Sequence, residues 1–143
     1  MKMPRMNTQY VISLLPIENE QISDWLKLAG DDSYLRYDLG AIEAMRKDPN
    51  RTLTGIASSE GEMVGFIDSE RIDGDIEFIS IFVRPSHRKR GIAKAALRLY
   101  SKNQHAAITF ADVDRGNIAS IRTFSSVARV DQVTDEGMVR FRL

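Results

Sequence analysis

The chain has 143 residues, 43% of them hydrophobic and 28% charged, which suits a single domain over residues 1–143 with one sizeable core. Twenty Lys and Arg balance twenty Asp and Glu, so the broad basic face that carries nucleic-acid binding is not expected. With no cysteine and only His87 and His105 as histidines, disulfides, thiolate catalysis and Cys-ligated zinc are excluded, and no metal site is expected.

Read in chain order, Met1 to Tyr10 lacks the apolar stretch and small-residue cleavage site of a secretory signal. No later run approaches the roughly 18 apolar residues that span a membrane. A cytoplasmic chain with no membrane partner is therefore expected. Tyr10 to Leu15 reads as a short strand closed by Pro16. Asn19 is placed to cap a helix to Ala29, with Ile22, Trp25 and Leu26 at helical spacing, and a second helix is expected between about Ser33 and Lys47. Arg51–Ala57, Met63–Arg71 and Ile76–Val83 read as three strands. Ser58-Ser59-Glu60-Gly61 and the hairpin signal Asp73-Gly74 join them into an antiparallel meander.

Arg84 to His87 is a loop, and Lys89 to about Asn103 a helix in which Ala93, Ala96, Leu97 and Tyr100 recur on one face. Ala106–Val113 is a strand, and Asn117 can cap a helix to about Val127. Arg129–Val133 and Met138–Leu143 form a last hairpin turning at Asp135-Glu136-Gly137. The order β-α-α-β-β-β-α-β-α-β-β predicts an α+β, or mixed α/β, fold: a central mixed, mostly antiparallel sheet flanked by about four helices.

The segment Val83 to Ala93 carries the chemistry. It joins a strand to a helix, whose first backbone amides have no intrahelical partner and point where the helix dipole favours an anion. A phosphate fits such a place. Gly91 and the small Ala93 allow close approach, and Arg84, Arg88, Lys89 and Arg90 concentrate positive charge. Local physics alone leaves open a plain basic loop opening an Ala-rich helix. Gly91 reads as a first-turn residue, where Val should block a phosphate and spare the fold, and Ala should not destabilise the helix. The segment is neither a Walker loop nor a dinucleotide fingerprint.

The segment resembles the phosphate loop R/Q-x-x-G-x-G/A of the GNAT superfamily of N-acetyltransferases, with Arg88, Gly91 and Ala93 at the matching positions. Val83-Arg84-Pro85 is similar to the strand end that leads into that loop. Met63-Val64-Gly65-Phe66-Ile67 is similar to the superfamily's third strand, and Asn117-Ile118-Ala119-Ser120 to the opening of its next motif. The likeness covers about Tyr10 to Leu143. It implies acetyl-CoA as co-substrate, wedged between a fourth strand and a parallel neighbour that part. Main-chain groups of Ile81, Phe82 and Val83 would pair with the pantetheine arm. Amides of Lys89, Arg90, Gly91, Ile92 and Ala93, with the Arg88 side chain, would hold the pyrophosphate, and Asn117 would touch the arm or only cap its helix. No metal is implied.

Such enzymes let an amine attack the thioester directly, so the amine must lose a proton. Glu77 lies eleven residues before Arg88, the separation of the catalytic Glu in histone-acetyltransferase relatives. It alternates with Ile79, Ile81 and Val83 and is the expected base, provided no bulge changes that parity; Asp75 and Asp112 are substitutes. Many relatives place an acidic Tyr seven residues after the motif's Asn; here that residue is Phe124, which cannot donate, and Ser120 and Ser125 are near in sequence. The helix pair from Asn19 to Lys47, with Trp25, would wall an acceptor site, and Asp31, Asp32, Asp38 and Glu43 would suit a cationic amine. The expected partner is a small-molecule or peptide amine, with homodimerisation open. The competing readings are a non-catalytic acyl-CoA sensor on the same fold and, against the neutral charge, an RNA-acylating enzyme.

Overall fold

The structure, a computed structural model, describes residues 12–16, 47–103 and 106–143. Their elements are β1 (Ile12–Pro16), β2 (Arg51–Ser58), β3 (Met63–Ile72), β4 (Ile76–Val83), a 3-10 turn (Pro85–His87), α1 (Ile92–Lys102), β5 (Ile108–Asp114), α2 (Ile118–Val127), β6 (Arg129–Val133) and β7 (Met138–Arg142). The expected helices between Asn19 and Lys47 lie outside the described residues, so two α-helices are described of the four expected. No described helix is long and apolar enough to cross a membrane.

The strands form one seven-stranded sheet in the order β1-β2-β3-β4-β5-β7-β6. Every pair is antiparallel except β4 and β5. Turn chemistry sets the hairpins. Asp73 and Gly74 both have positive φ, 54° and 71°, in the three-residue β3–β4 turn Asp73-Gly74-Asp75, and Asp and Gly are residues that tolerate the left-handed region.

One face of the sheet carries the core. Ile56, Ile67, Ile79, Ala111 and Phe141 pack under Ile92, Ala96, Leu97 and Tyr100 of α1 and Phe124 of α2. The buried α1 residues recur at helical spacing, so one stripe of the helix meets the sheet. Phe124 stacks on Phe141 with ring centroids 5.6 Å apart, a packing role for the residue that stands where relatives carry an acidic Tyr. The opposite face has Phe66 on Phe82, centroids 5.4 Å apart, and Phe78 against Phe110 at 5.5 Å.

Gly65 in β3 is required by close approach. A Cβ there would run into the Phe82 carbonyl oxygen of β4, so the small residue lets β3 and β4 pair without a break from Gly65↔Val83 to Ile72↔Ile76. No bulge interrupts this β3–β4 ladder, and Glu77 keeps the parity of Ile79 as its spacing predicts.

Candidate active site

The β4–β5 ladder has three rungs, Ile76↔Ile108, Glu77↔Thr109 and Phe78↔Phe110. Both strands run on beyond it, β4 to Val83 and β5 to Asp114, where β5 pairs with β7. The two parallel strands therefore part after Phe78. The Arg84 amide donates to the Val64 carbonyl of β3 at 2.8 Å. Backbone groups alternate along a strand, so Ile81 and Val83 turn their N–H and C=O to the β5 side, along the gap, and Phe82 turns its own to β3. Of the three residues expected to meet a pantetheine arm, Ile81 and Val83 have that orientation and Phe82 does not.

The gap opens toward the loop before α1. Lys89 has φ 64°, and Gly91, the N-cap of α1, has φ 76° with no side-chain cap. The first helical bond runs from the Ala95 amide to the Gly91 carbonyl at 3.0 Å. The amides of Ile92, Ala93 and Lys94 thus precede any intrahelical partner, and a helix N-terminus concentrates about half a positive charge there. Left-handed residues beside right-handed ones curl successive amides inward into an anion-binding nest. A Cβ built on Gly91 meets nothing within 4 Å, so the space over the helix start is open. Of the five amides expected here, Ile92 and Ala93 are among these three, and Lys94 joins them because the helix begins at Ile92. Gly91 is a left-handed cap and no first-turn residue, which reverses the expectation for Ala there.

The loop's cations divide into two kinds. Arg88 Nε donates to the Val83 carbonyl at 2.9 Å, and its guanidinium lies 5.6 Å from the Phe82 ring centroid. Arg88 thereby ties the loop to the end of β4. Arg84 Nη1 reaches Glu62 Oε1 and the Met63 carbonyl, each at 3.4 Å, so Glu62 in the β2–β3 turn offsets part of the charge. Lys89 and Arg90 are exposed. Asn117 caps α2, its Oδ1 accepting from the Ser120 amide at 3.3 Å.

Glu77 is in the core, 3% exposed. Its Oε2 accepts from Ser69 Oγ at 2.7 Å and its Oε1 from Thr109 Oγ1 at 2.8 Å. The Tyr100 hydroxyl lies 2.9 and 3.0 Å from the two oxygens. Hydrogen bonds to an ionised group contribute about 1.5–3 kcal/mol each, which offsets the cost of taking a carboxylate out of water. Burial, together with the Glu77 charge, pushes the Tyr100 hydroxyl up to about 12 despite a hydrogen bond with Ser69 and the charge of Arg71. Tyr100 therefore stays protonated at neutral pH.

On the other face, Asp112 of β5 takes both Arg140 Nε and Nη2 at 2.8 and 2.9 Å. That guanidinium sits 4.9 Å from the Phe78 centroid and 5.5 Å from that of Phe110. Asp75 is exposed in the β3–β4 turn. The sequence does not reveal the partners of Glu77 and Asp112, because they depend on the register of strands far apart in the chain. Only Tyr100, on the inward stripe of its helix, carried a readable signal.

A family model described as the acetyltransferase (GNAT) family matches residues 17–127. No curated protein matches the chain in sequence. Among solved structures, the GNAT domain of S. lividans PAT superposes with a TM-score of 0.73 at 17% identity, over 92% of this chain and 88% of that one. The spermidine N-acetyltransferase of Vibrio cholerae, in complex with CoA and spermine, gives 0.67 at 14% identity, over 92% and 94% of the two chains. An aminoglycoside acetyltransferase, AAC(6')-Ib, in complex with coenzyme A and kanamycin, gives 0.70 at 14% identity, over 93% and 94%.

Proposed function

Because the chain belongs to the acetyltransferase (GNAT) family, we propose that it is an N-acyltransferase that moves an acetyl group from acetyl-CoA to a primary amine by direct attack. The observation that carries this reading is a helix-start anion cradle at the mouth of the gap between β4 and β5. The donor set supports a co-substrate with a pyrophosphate and an amide-bearing arm. The amides of Ile92, Ala93 and Lys94 with Lys89 and Arg90 suit the pyrophosphate, Gly91 leaves it room, and Ile81 and Val83 suit the amide-bearing arm. Asn117, at the start of α2, is the further contact the family motif suggests. Solved neighbours that take spermine and kanamycin support a small-molecule amine as acceptor; a peptide amine meets the same chemistry.

Acetyl-CoA supplies the thioester electrophile. The chain aligns it by holding the phosphates and the arm, so attack becomes a matter of orientation. A primary amine with pKa near 10.4 is unprotonated about once in roughly 2,500 molecules at pH 7, so its proton must be lost before attack. A base at Glu77 needs a proton path through Ser69, Tyr100 or Thr109, because their hydroxyls hold its carboxylate. The departing thiolate has a parent pKa of about 8.5 and leaves without an acid, consistent with Phe124 in the core.

The test is thiol release from acetyl-CoA with polyamines, aminoglycosides, amino acids and peptides, followed by mass analysis of the amine. Acetylation of one class is expected. Tight CoA binding with no acetylated amine in any class would favour the acyl-CoA sensor and reject the enzyme.

A further inference from the structure

We propose that Glu77 is a positioning residue of the cofactor cleft: its carboxylate fixes the rung at which β4 and β5 part. The proposal rests on reading the gap between those strands as the acetyl-CoA site.

Glu77↔Thr109 is the second of three rungs, one step from the opening. The hydroxyls on this carboxylate come from β3 (Ser69), β5 (Thr109) and α1 (Tyr100), and Glu77 itself is on β4. Two oxygens with about four lone-pair sites can accept from all three at once. One side chain therefore ties together the two strands that diverge, the strand on the other side of β4, and the helix whose first amides form the cradle. Tyr100 lies eight residues after Ile92, about 12 Å along the helix at its usual rise. The cradle and the strand edge are thus both referenced to a single carboxylate. The final rung, Phe78↔Phe110, is closed from the other face by Arg140 over both rings. A direct base must come within hydrogen-bond reach of the amine or within one water of it. At 3% exposure, with three hydroxyls on it, Glu77 is built to hold strands.

Glu77→Gln and Thr109→Val separate this role from a base and from simple stability. Kd for CoA, KM for acetyl-CoA, KM for the amine, kcat, the pH–rate profile and the melting temperature are measured for each. Thr109→Val removes one donor to the carboxylate and keeps the branched side-chain shape. It is expected to raise Kd for CoA and KM for acetyl-CoA about tenfold, the scale of a sub-ångström misplacement, with KM for the amine unchanged. The Gln amide can accept from Tyr100 and donate to a rotated Ser or Thr hydroxyl. Glu77→Gln is therefore expected to raise Kd for CoA less than Thr109→Val does, with a pH–rate profile parallel to that of wild type. A loss in kcat of roughly 10²–10⁴ that recovers at high pH would overturn the proposal in favour of a base. Lower melting temperatures with wild-type affinity for CoA would overturn it in favour of a purely structural cluster. If Glu77→Gln fails to fold, Ser69→Ala, which removes one donor at the β3 side, is measured under the criteria set for Thr109→Val. Wild-type protein that does not bind CoA would instead refute the acetyl-CoA reading of the gap.

Discussion

Gly91 decides the shape of the loop before α1. Its φ of 76° as the N-cap of α1 lies in the left-handed region, where a residue with a Cβ is disfavoured by roughly 1–2 kcal/mol. The space around it is open, so sterics with neighbours add nothing. Gly91→Ala should therefore lower stability by about 1–2 kcal/mol in urea unfolding. Equal or higher stability would mean that the turn relaxes freely and that its conformation is not imposed. The sequence placed Gly91 in the first turn of the helix and did not show its left-handed backbone state. Arg88, Gly91 and Ala93 were readable because they sit close together in the chain. Ser69, Tyr100 and Thr109 around Glu77 were not, because their meeting depends on strand register and on how α1 lies across the sheet.

At the scale of elements, periodicity and turn residues located all seven strands and both described helices, with shifts of up to three residues at their ends. Local signals carried that much: the positive-φ turns at Asp73-Gly74 and Gly137, and the cap at Asn117. The strand order was less accessible. β7, the last strand, inserts between β5 and β6, a choice governed by burial of Phe141 in the core and by the Arg140–Asp112 pair. That choice leaves β6 at the edge with every residue exposed, and its register against β7 shifts around Asp131. A bulge bearing a charge is one way a sheet edge avoids pairing with another chain. The β3–β4 contact gives the element-scale prediction. Gly65→Ala should destabilise by about 1–3 kcal/mol, the usual cost of forcing an extra carbon into close packing, because the obstacle is the Phe82 backbone. It should also weaken CoA binding by moving the end of β4. Wild-type stability would show that β3 and β4 can separate locally without cost.

At the scale of the whole molecule, the proposed cofactor site is shared by one sheet and one helix. The sheet offers the edge of β4 where β5 leaves it, and α1 offers first-turn amides without an intrahelical partner. Such a division predicts that affinity is concentrated at the phosphate end, where charge and dipole act together. Calorimetric titration with CoA and with pantetheine, which keeps the arm and lacks the phosphates, tests this most directly. CoA should bind at least about a hundredfold more tightly, close to 3 kcal/mol of difference, and the gap should narrow with rising salt as charge is screened. Equal affinity for the two ligands, or no binding of CoA, would contradict the central claim that the loop before α1 holds the pyrophosphate.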